Sequence, residues 1–178
     1  NKKVLIIDLD AQGNASTGLG ISLEDRSLST YDVIVGNSDL NDVIKNTSVP
    51  DLFIAPATTD LSSSDVDLVL NEKRTMVLKE SMEKLLENSD NFDYVIIDCP
   101  PALSLLTINA FVASESVLVP LQAEFFALEG LTQLMLTIRE VRGTLNKNIK
   151  IQGIVLTMYD RRNSLSVQIE EDVRENLG

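Results

Sequence analysis

Two residue types that often carry chemistry are scarce in this sequence of 178 residues, which has no histidine and a single cysteine, Cys99. Without histidine, Ser-His-Asp catalysis, Cys-His catalysis and histidine-ligated zinc sites are excluded. One cysteine cannot form an internal disulfide, which fits a reducing compartment, and we expect Cys99 to be a packing residue. A metal ion bound here would therefore be a hard cation held by oxygen atoms, such as Mg²⁺.

Long apolar runs are also absent. No segment approaches the ~20 consecutive apolar residues of a membrane-spanning helix. No basic stretch followed by an apolar one, the pattern of a secretory signal, opens the sequence. We therefore expect a cytoplasmic protein that does not associate with membranes.

Positive charge is scarce, and the net charge of -12 argues against general nucleic-acid binding. The segment from 139 to 162, called the basic segment below, reverses this balance with six basic residues against two acidic ones. The basic residues are Arg139, Arg142, Lys147, Lys150, Arg161 and Arg162. This segment is either a solvated helix end and loop or a local basic patch on an acidic protein, and both interpretations stay open.

Short apolar runs alternate with longer helical patterns along the chain. The runs predict strands at 4–8, 52–55, 94–98, 116–121 and 151–158, and the helical patterns predict helices at 75–88, 130–145 and 163–176. Most of the strands are continuous apolar runs, which is typical of parallel sheets covered on both faces. We predict one α/β domain over residues 1–178, with a doubly wound, mostly parallel sheet and helices on both faces.

Carboxylates stand where two of these strands end. Asp8 and Asp10 follow the first strand, and Asp98 closes the strand in "FDYVIIDCPP". In open α/β sheets ligands bind at the carboxyl ends of the strands, so the three acids are expected at one edge. Their mutual repulsion would be compensated by Mg²⁺ together with a phosphate, and we favour a cation site over acids that merely cap loops.

The strand "YVIID" also has the general form of a Walker B strand, whose aspartate holds Mg²⁺. Its usual companion is the phosphate-binding loop G-x-x-x-x-G-K-[ST]. Gly13 and Gly18 have the glycine spacing of that loop, but Leu19 follows where lysine is required, and no other glycine precedes a lysine. The 178 residues therefore contain a Walker B candidate without a phosphate-binding loop of this form.

Four segments together resemble the ParA/Soj family of deviant Walker-type partitioning ATPases. They are "KKVLIIDLDAQGNASTGLGI", "FDYVIIDCPPALSLLTINAFVAS", "VLVPLQAEFFALEGLTQL" and "GIVLTMYDRRNSLSVQIEEDV", in the family's order and over nearly the whole chain. The family's D-L-D-P-Q-G-N-A has Ala11 in place of proline here. By this resemblance the fold is P-loop NTPase-like. We expect the segment K-G-G-x-G-K-T-T before Asn1 and further elements after Gly178, so that the domain is incomplete at both ends.

The resemblance implies roles for several residues. Asp8 and Asp98 would support Mg²⁺ through water, and Asp10 would orient or activate the water that attacks ATP. Gly13 and Asn14 would belong to a switch loop that responds to the γ-phosphate. Met158 and Asp160 would lie in the region that lines the adenine pocket. ATP and Mg²⁺ are the implied cofactors.

The implied function is partitioning of a chromosome or plasmid. Such an ATPase dimerises with ATP, binds DNA nonspecifically on the nucleoid, and is discharged by a ParB-type partner. We expect the intact protein to be an ATP hydrolase, and we leave open whether residues 1–178 alone hydrolyse ATP.

Three alternatives are weighed against this interpretation. A haloacid-dehalogenase-like phosphatase also carries Asp-x-Asp after a strand, but it requires Thr or Val where Gln12 stands. A MinD-like division-site ATPase uses a basic amphipathic terminal helix, whereas this sequence ends in the acidic "SVQIEEDVRENLG". A regulatory module that binds partners without hydrolysis is the third, since the phosphate-binding loop is not among these residues.

Overall fold

The computed structural model describes residues 2–88, 92–124 and 127–177. The chain forms two compact units, Asn1–Ala113 and Ser114–Gly178, each with its own strands and helices. The mostly parallel α/β fold is confirmed by the strand pairing within both units. The prediction that residues 1–178 are one incomplete domain stays a prediction.

A four-stranded sheet forms the centre of the first unit. Its strands are β1 (Val4–Asp8), β2 (Lys45–Asn46), β3 (Leu52–Ala55) and β4 (Tyr94–Asp98). Their spatial order is β2-β3-β1-β4, with β3 and β4 parallel to β1 and only the short β2 antiparallel to its neighbour. In β1, Leu5 and Ile7 are fully buried on one face, and Val4 and Ile6 are half-buried on the other. This two-sided burial explains why the strand is a continuous apolar run.

The first unit also contains α-helices and a 3-10 helix. They are α1 (Asn14–Gly18), α2 (Thr30–Val35), α3 (Leu40–Val43), α4 (Ser64–Asp67), α5 (Val77–Asn88) and α6 (Leu105–Ala113), with a 3-10 helix at Thr59–Ser63. The predicted helix at 75–88 is α5, which begins two residues later. The four helices before it are too short to produce a helical period in the sequence.

Helix α6, of nine residues, is not predicted by the sequence pattern. Its residues are apolar nearly all round, so no polar face alternates with an apolar one, and most of its side chains are buried. Asn109 is its one fully buried amide. It donates hydrogen bonds to the carbonyl oxygens of Arg74 (2.7 Å) and Leu105 (3.0 Å), which ties α6 to the segment before α5.

The second unit is a parallel pair of strands with two helices. The strands are β5 (Ser116–Gln122) and β6 (Lys150–Thr157), and the helices are α7 (Ala127–Thr144) and α8 (Ser164–Leu177). These elements lie close to their predicted bounds of 116–121, 151–158, 130–145 and 163–176. Val119, Leu121, Leu131 and Ile169 form the buried core of this unit. None of the helices in the described ranges is long and apolar enough to cross a membrane.

Candidate functional site at the carboxyl ends of the strands

The two aspartates that end β1 and β4 are direct neighbours in the sheet. In the parallel pairing of these strands Asp8 lies opposite Asp98. The backbone N–H of Leu9 donates to the carbonyl oxygen of Asp98 at 2.9 Å, so the pairing extends past the end of β1. The structure thus brings together at one sheet edge the acids that the strand ends predict there.

Asp8 is fully buried, and its carboxylate is bound by the loop that follows β1. Oδ2 accepts from the backbone N–H of Ser16 (2.9 Å) and from the Ser16 hydroxyl (2.6 Å), and Oδ1 accepts from the N–H of Asp10 (3.2 Å). Three donors to one buried carboxylate replace the water that it loses on folding. Asp8 therefore folds the loop back over the end of its own strand.

Ser16 connects this carboxylate to a second loop. Its hydroxyl oxygen accepts a hydrogen bond from the backbone N–H of Ala57, after β3, at 3.0 Å. The Thr30 hydroxyl donates to the carbonyl oxygen of Asp8 at 2.7 Å, which fixes the start of α2 at the same strand end. None of these partners is signalled by the sequence pattern, because the contacts join residues far apart in the chain.

The loop between Asp10 and α1 makes a tight turn. Asp10 is half-buried, and its Oδ1 accepts from the N–H of Gln12 at 3.0 Å in an Asx-turn. Gly13 follows in the left-handed conformation at φ +61° and precedes Asn14, the exposed first residue of α1. A Cβ at Gly13 would lie 2.5 Å from Nη1 of Arg26 and 3.3 Å from the carbonyl oxygen of Ala57. Conformation and space both require glycine at this position.

The acids of this edge repel one another. Partial burial, followed by the negative charges of Asp8 and Asp10, raises the pKa of Asp98 above its usual value. A cation near Asp98 would relieve that repulsion. In the described part of the chain no group of three or more Asp, Glu, Cys or His side chains is placed to hold a metal ion. The donor set therefore fits a hydrated ion such as Mg²⁺, which keeps several of its waters, better than a directly ligated one.

Cys99 follows Asp98 and is no nucleophile in this setting. Burial, with a smaller contribution from the Asp98 charge, raises the pKa of its thiol to about 12. A thiol that stays protonated at neutral pH is unreactive, in agreement with the packing role expected for it.

Met158 and Asp160 belong to the second unit, in the loop after β6. Met158 is 83% exposed and takes the left-handed conformation at φ +53°, which is uncommon for a residue with a side chain. Asp160 is bound in a forked ion pair by Arg162, whose Nη2 lies 2.8 Å from Oδ2 and whose Nε lies 3.0 Å from Oδ1. The Arg162 side chain lowers the pKa of Asp160.

The six residues of the basic segment also lie in the second unit, and all are exposed. Arg162 pairs with Asp160, whereas none of the other five forms an ion pair with any residue that the structure describes. The segment spans the last turns of α7, the following loop and β6, and then the loop that holds Met158.

Comparison with known proteins gives a consistent result. The family model described as "AAA domain" matches residues 1–151. The chromosome partitioning protein ParA of Caulobacter vibrioides is 51% identical over 177 residues, covering 99% of this chain and 66% of the relative. The sporulation initiation inhibitor protein Soj of Bacillus subtilis is 46% identical, covering 98% of this chain and 68% of the relative. The chain thus spans about two thirds of the length of these curated relatives.

A solved structure supports the predicted fold. The protein from Mycobacterium smegmatis described as cobyrinic acid a,c-diamide synthase, with bound ATP analogue and magnesium, superposes with a TM-score of 0.90 at 34% identity. The match covers 99% of this chain and 70% of that one. With identities of 51% and 46% to ParA and Soj proteins over almost all of its length, the chain belongs to the ParA/Soj family.

Proposed function

We propose that this chain is the greater part of a partitioning ATPase that hydrolyses Mg²⁺-bound ATP to move a chromosome or plasmid. The observation that carries the proposal is the strand-end pair of Asp8 and Asp98, with the loop from Asp10 to Ser16 hydrogen-bonded onto the buried Asp8 carboxylate. A loop held against a carboxylate edge is suited to respond to a phosphate and its metal ion. The ParA and Soj relatives supply the biological setting.

In this proposal Asp98 binds the hydrated metal ion and Asp10 orients the attacking water. Asp98, exposed and repelled by its neighbours, would hold Mg²⁺ through water, with the buried Asp8 supporting that shell from behind. The bound ion would neutralise charge on the phosphates. Asp10 has Oδ1 engaged by Gln12, and Oδ2 has no partner among the described residues. Oδ2 can therefore accept a hydrogen bond from the attacking water and orient it.

The remaining predicted site residues act in binding. Asn14 would present its backbone N–H to the γ-phosphate. Gly13, whose own N–H donates to the carbonyl oxygen of Asp10 at 2.9 Å, would supply the left-handed turn that places Asn14 there. Exposed Met158 offers a polarisable apolar surface suited to a base, and Asp160 a carboxylate already oriented by Arg162. Their assignment to the region that lines the adenine pocket rests on the resemblance to the ParA/Soj family.

The other candidate functions are less well supported. The phosphatase requires a nucleophilic aspartate, whereas the Asp8 carboxylate is fully buried under three donors. The M. smegmatis protein carries the name of an amide-forming enzyme, but its identity of 34% is well below the 51% of the partitioning protein. The name of the Caulobacter vibrioides relative, a chromosome partitioning protein, also favours partitioning over the division-site alternative.

The test of the catalytic assignment is Asp10→Ala in the intact protein. Loss of water positioning should lower kcat by about a hundredfold while the affinity for Mg²⁺·ATP stays within about threefold of wild type. The matched control is Asp65→Ala, which removes an exposed acid outside the site. Hydrolysis by Asp10→Ala at the wild-type rate would contradict the role of Asp10.

The proposal extends to DNA, to a ParB-type partner and to an ATP-dependent dimer. The exposed basic segment supplies a surface for phosphates on a chain of net charge -12, and dimerisation would double it and raise avidity. Each phosphate contact should contribute about -0.9 to the log–log slope of affinity against salt. A ParB-type protein would then act on the ATP-bound, DNA-bound dimer.

The DNA surface is tested with Lys147→Glu combined with Lys150→Glu in the intact ATPase. Affinity for random-sequence DNA should fall and the salt slope should become shallower by about 2 if each lysine contacts one phosphate. Lys73→Glu with Lys84→Glu makes the same charge change in the first unit and should have a smaller effect. If dimerisation is preserved and neither affinity nor slope changes, these two lysines do not bind DNA.

A further inference from the structure

Arg26 is a buried cation in the first unit, with 5% of the residue exposed. Its guanidinium donates to the carbonyl oxygens of Ala57 (3.1 Å) and Ile21 (2.8 Å) and to the hydroxyl of Thr17 (2.8 Å). All three acceptors are neutral, and Nε has no partner. No carboxylate in the described residues forms an ion pair with it.

A buried arginine without a carboxylate is costly. Removing a charge from water is compensated most fully by an opposite charge, and neutral acceptors compensate it only in part. A side chain that served packing alone could be apolar at lower cost. The forked geometry of the guanidinium, which reaches separate acceptors at once, is what arginine provides here and lysine does not.

The atoms that Arg26 contacts belong to the loop after Asp10. Nη1 occupies the space that a side chain at Gly13 would need, at 2.5 Å from the position of its Cβ. The Thr17 hydroxyl that accepts from Nη2 donates in turn to the carbonyl oxygen of Gly13 at 3.0 Å. Arg26 therefore fixes both the left-handed turn at Gly13 and the first turn of α1.

Ala57 joins this contact to the Asp8 network. Its carbonyl oxygen accepts from Arg26, and its N–H donates to the Ser16 hydroxyl, which itself donates to Asp8. The loop is thus held at two adjacent residues by two different buried charges, at Ser16 through Asp8 and at Thr17 through Arg26.

We propose that Arg26 is a positioning residue for ATP hydrolysis, which holds the loop from Asp10 to Thr17 in the geometry that places the Asp10 carboxylate for the attacking water. The inference rests on the proposed function. Arg26 itself is buried and contacts no reacting group in this assignment. Its loss should therefore lower kcat by a larger factor than it raises KM for ATP. A small misplacement of a catalytic group slows the reaction strongly, whereas this loop supplies only the Asn14 N–H to the phosphate in this assignment.

The experiment uses Arg26→Lys and Arg26→Gln in the intact protein, with Arg74→Lys as the control. Arg74 also donates one hydrogen bond to a backbone carbonyl, that of Val69 at 3.3 Å, but it is exposed. Thermal unfolding identifies a temperature at which each variant is folded, and all kinetics are measured there. Lysine keeps the charge and loses the fork, so both variants of Arg26 should lower kcat by about tenfold or more, with a smaller rise in KM for ATP.

A second readout is independent of hydrolysis. Amide hydrogen exchange of Gly13, Ser16 and Thr17 should accelerate in the Arg26 variants, while exchange in β1 stays slow. Arg74→Lys should change neither exchange nor kcat. Unchanged exchange in this loop overturns the inference, as does wild-type kcat in folded Arg26 variants or a rise in KM at constant kcat. A wild-type protein that does not hydrolyse ATP would instead refute the proposed function, and the exchange measurement would still decide the role of Arg26.

Discussion

Ser16→Ala is the substitution whose effect follows most directly from the structure. The Ser16 hydroxyl donates to the Asp8 carboxylate at 2.6 Å and accepts from the Ala57 N–H at 3.0 Å, and both Ser16 and Asp8 are fully buried. Alanine removes both bonds with almost no change in volume. Asp8 keeps the backbone N–H donors of Ser16 and Asp10, so the carboxylate stays partly satisfied, whereas the Ala57 N–H loses its acceptor.

The magnitude comes from these two losses. A hydrogen bond to a charged group contributes about 1.5–3 kcal/mol, and an unsatisfied buried donor costs about 1–3 kcal/mol. Since two donors remain on Asp8, we take the lower half of the range that these two contributions give together. We therefore expect the free energy of unfolding to fall by about 3 kcal/mol. For a chain of this size the midpoint of thermal unfolding should fall by about 6–12 °C.

The assay is urea unfolding of the intact protein, with Ser22→Ala as the control. Ser22 donates to the Asp25 carboxylate at 2.7 Å, so the control removes the same type of bond from an exposed pair. Its cost should stay within about 0.5 kcal/mol. Equal effects of the two substitutions would refute the reasoning, because burial would then make no difference to the Ser16–Asp8 bond.

Three further predictions concern other contacts. Asp98→Asn should raise the thermal midpoint at neutral pH without Mg²⁺, because it removes a charge that Asp8 and Asp10 repel. The wild-type protein should lose stability as the pH rises through the raised pKa of Asp98, and the variant should not show this loss. Hydrogen bonds from Tyr159 and then Arg174 lower the pKa of Glu170, which stabilises the folded protein above about pH 4.5. In Tyr159→Phe this contribution should be smaller, so the unfolding midpoint should fall less than in wild type as the pH drops below about 4.5. Acid titration of the unfolding midpoint measures the difference. Asn109→Ala should lower the free energy of unfolding by about 2–4 kcal/mol in urea unfolding, because it removes three hydrogen bonds made by a fully buried side chain.

The sequence predicts the sheet and the longer helices because their patterns are local. Continuous apolar runs mark β1, β3 and β4, and the mixed polar and apolar faces of α5, α7 and α8 produce a helical period. Helix α6 escapes that analysis because most of its side chains are buried and the others are half-buried, so no polar face alternates with the apolar one. Burial on all sides removes the signal from which a helix is predicted.

The site is predictable to a similar degree. Two aspartates at the ends of parallel strands must lie at the same edge, so the proximity of Asp8 and Asp98 follows from topology alone. The partners that hold the loop do not follow from it. Ser16 and Ala57 are 41 residues apart, and Arg26 and Ala57 are 31 apart. A serine or arginine in a polar loop has no pattern that distinguishes a buried contact from an exposed one.

Asp8 and Arg26 are opposite charges that are both buried, yet they do not pair with each other. Each is satisfied instead by groups of the intervening loop, Asp8 at Ser16 and Arg26 at Thr17. A direct ion pair would leave those loop groups unbound and the loop free to move. In the arrangement found here, disorder of the loop would leave a buried anion and a buried cation unsatisfied at the same time, and each is costly in an apolar interior. The order of the loop that follows Asp10 is therefore coupled to the stability of the first unit.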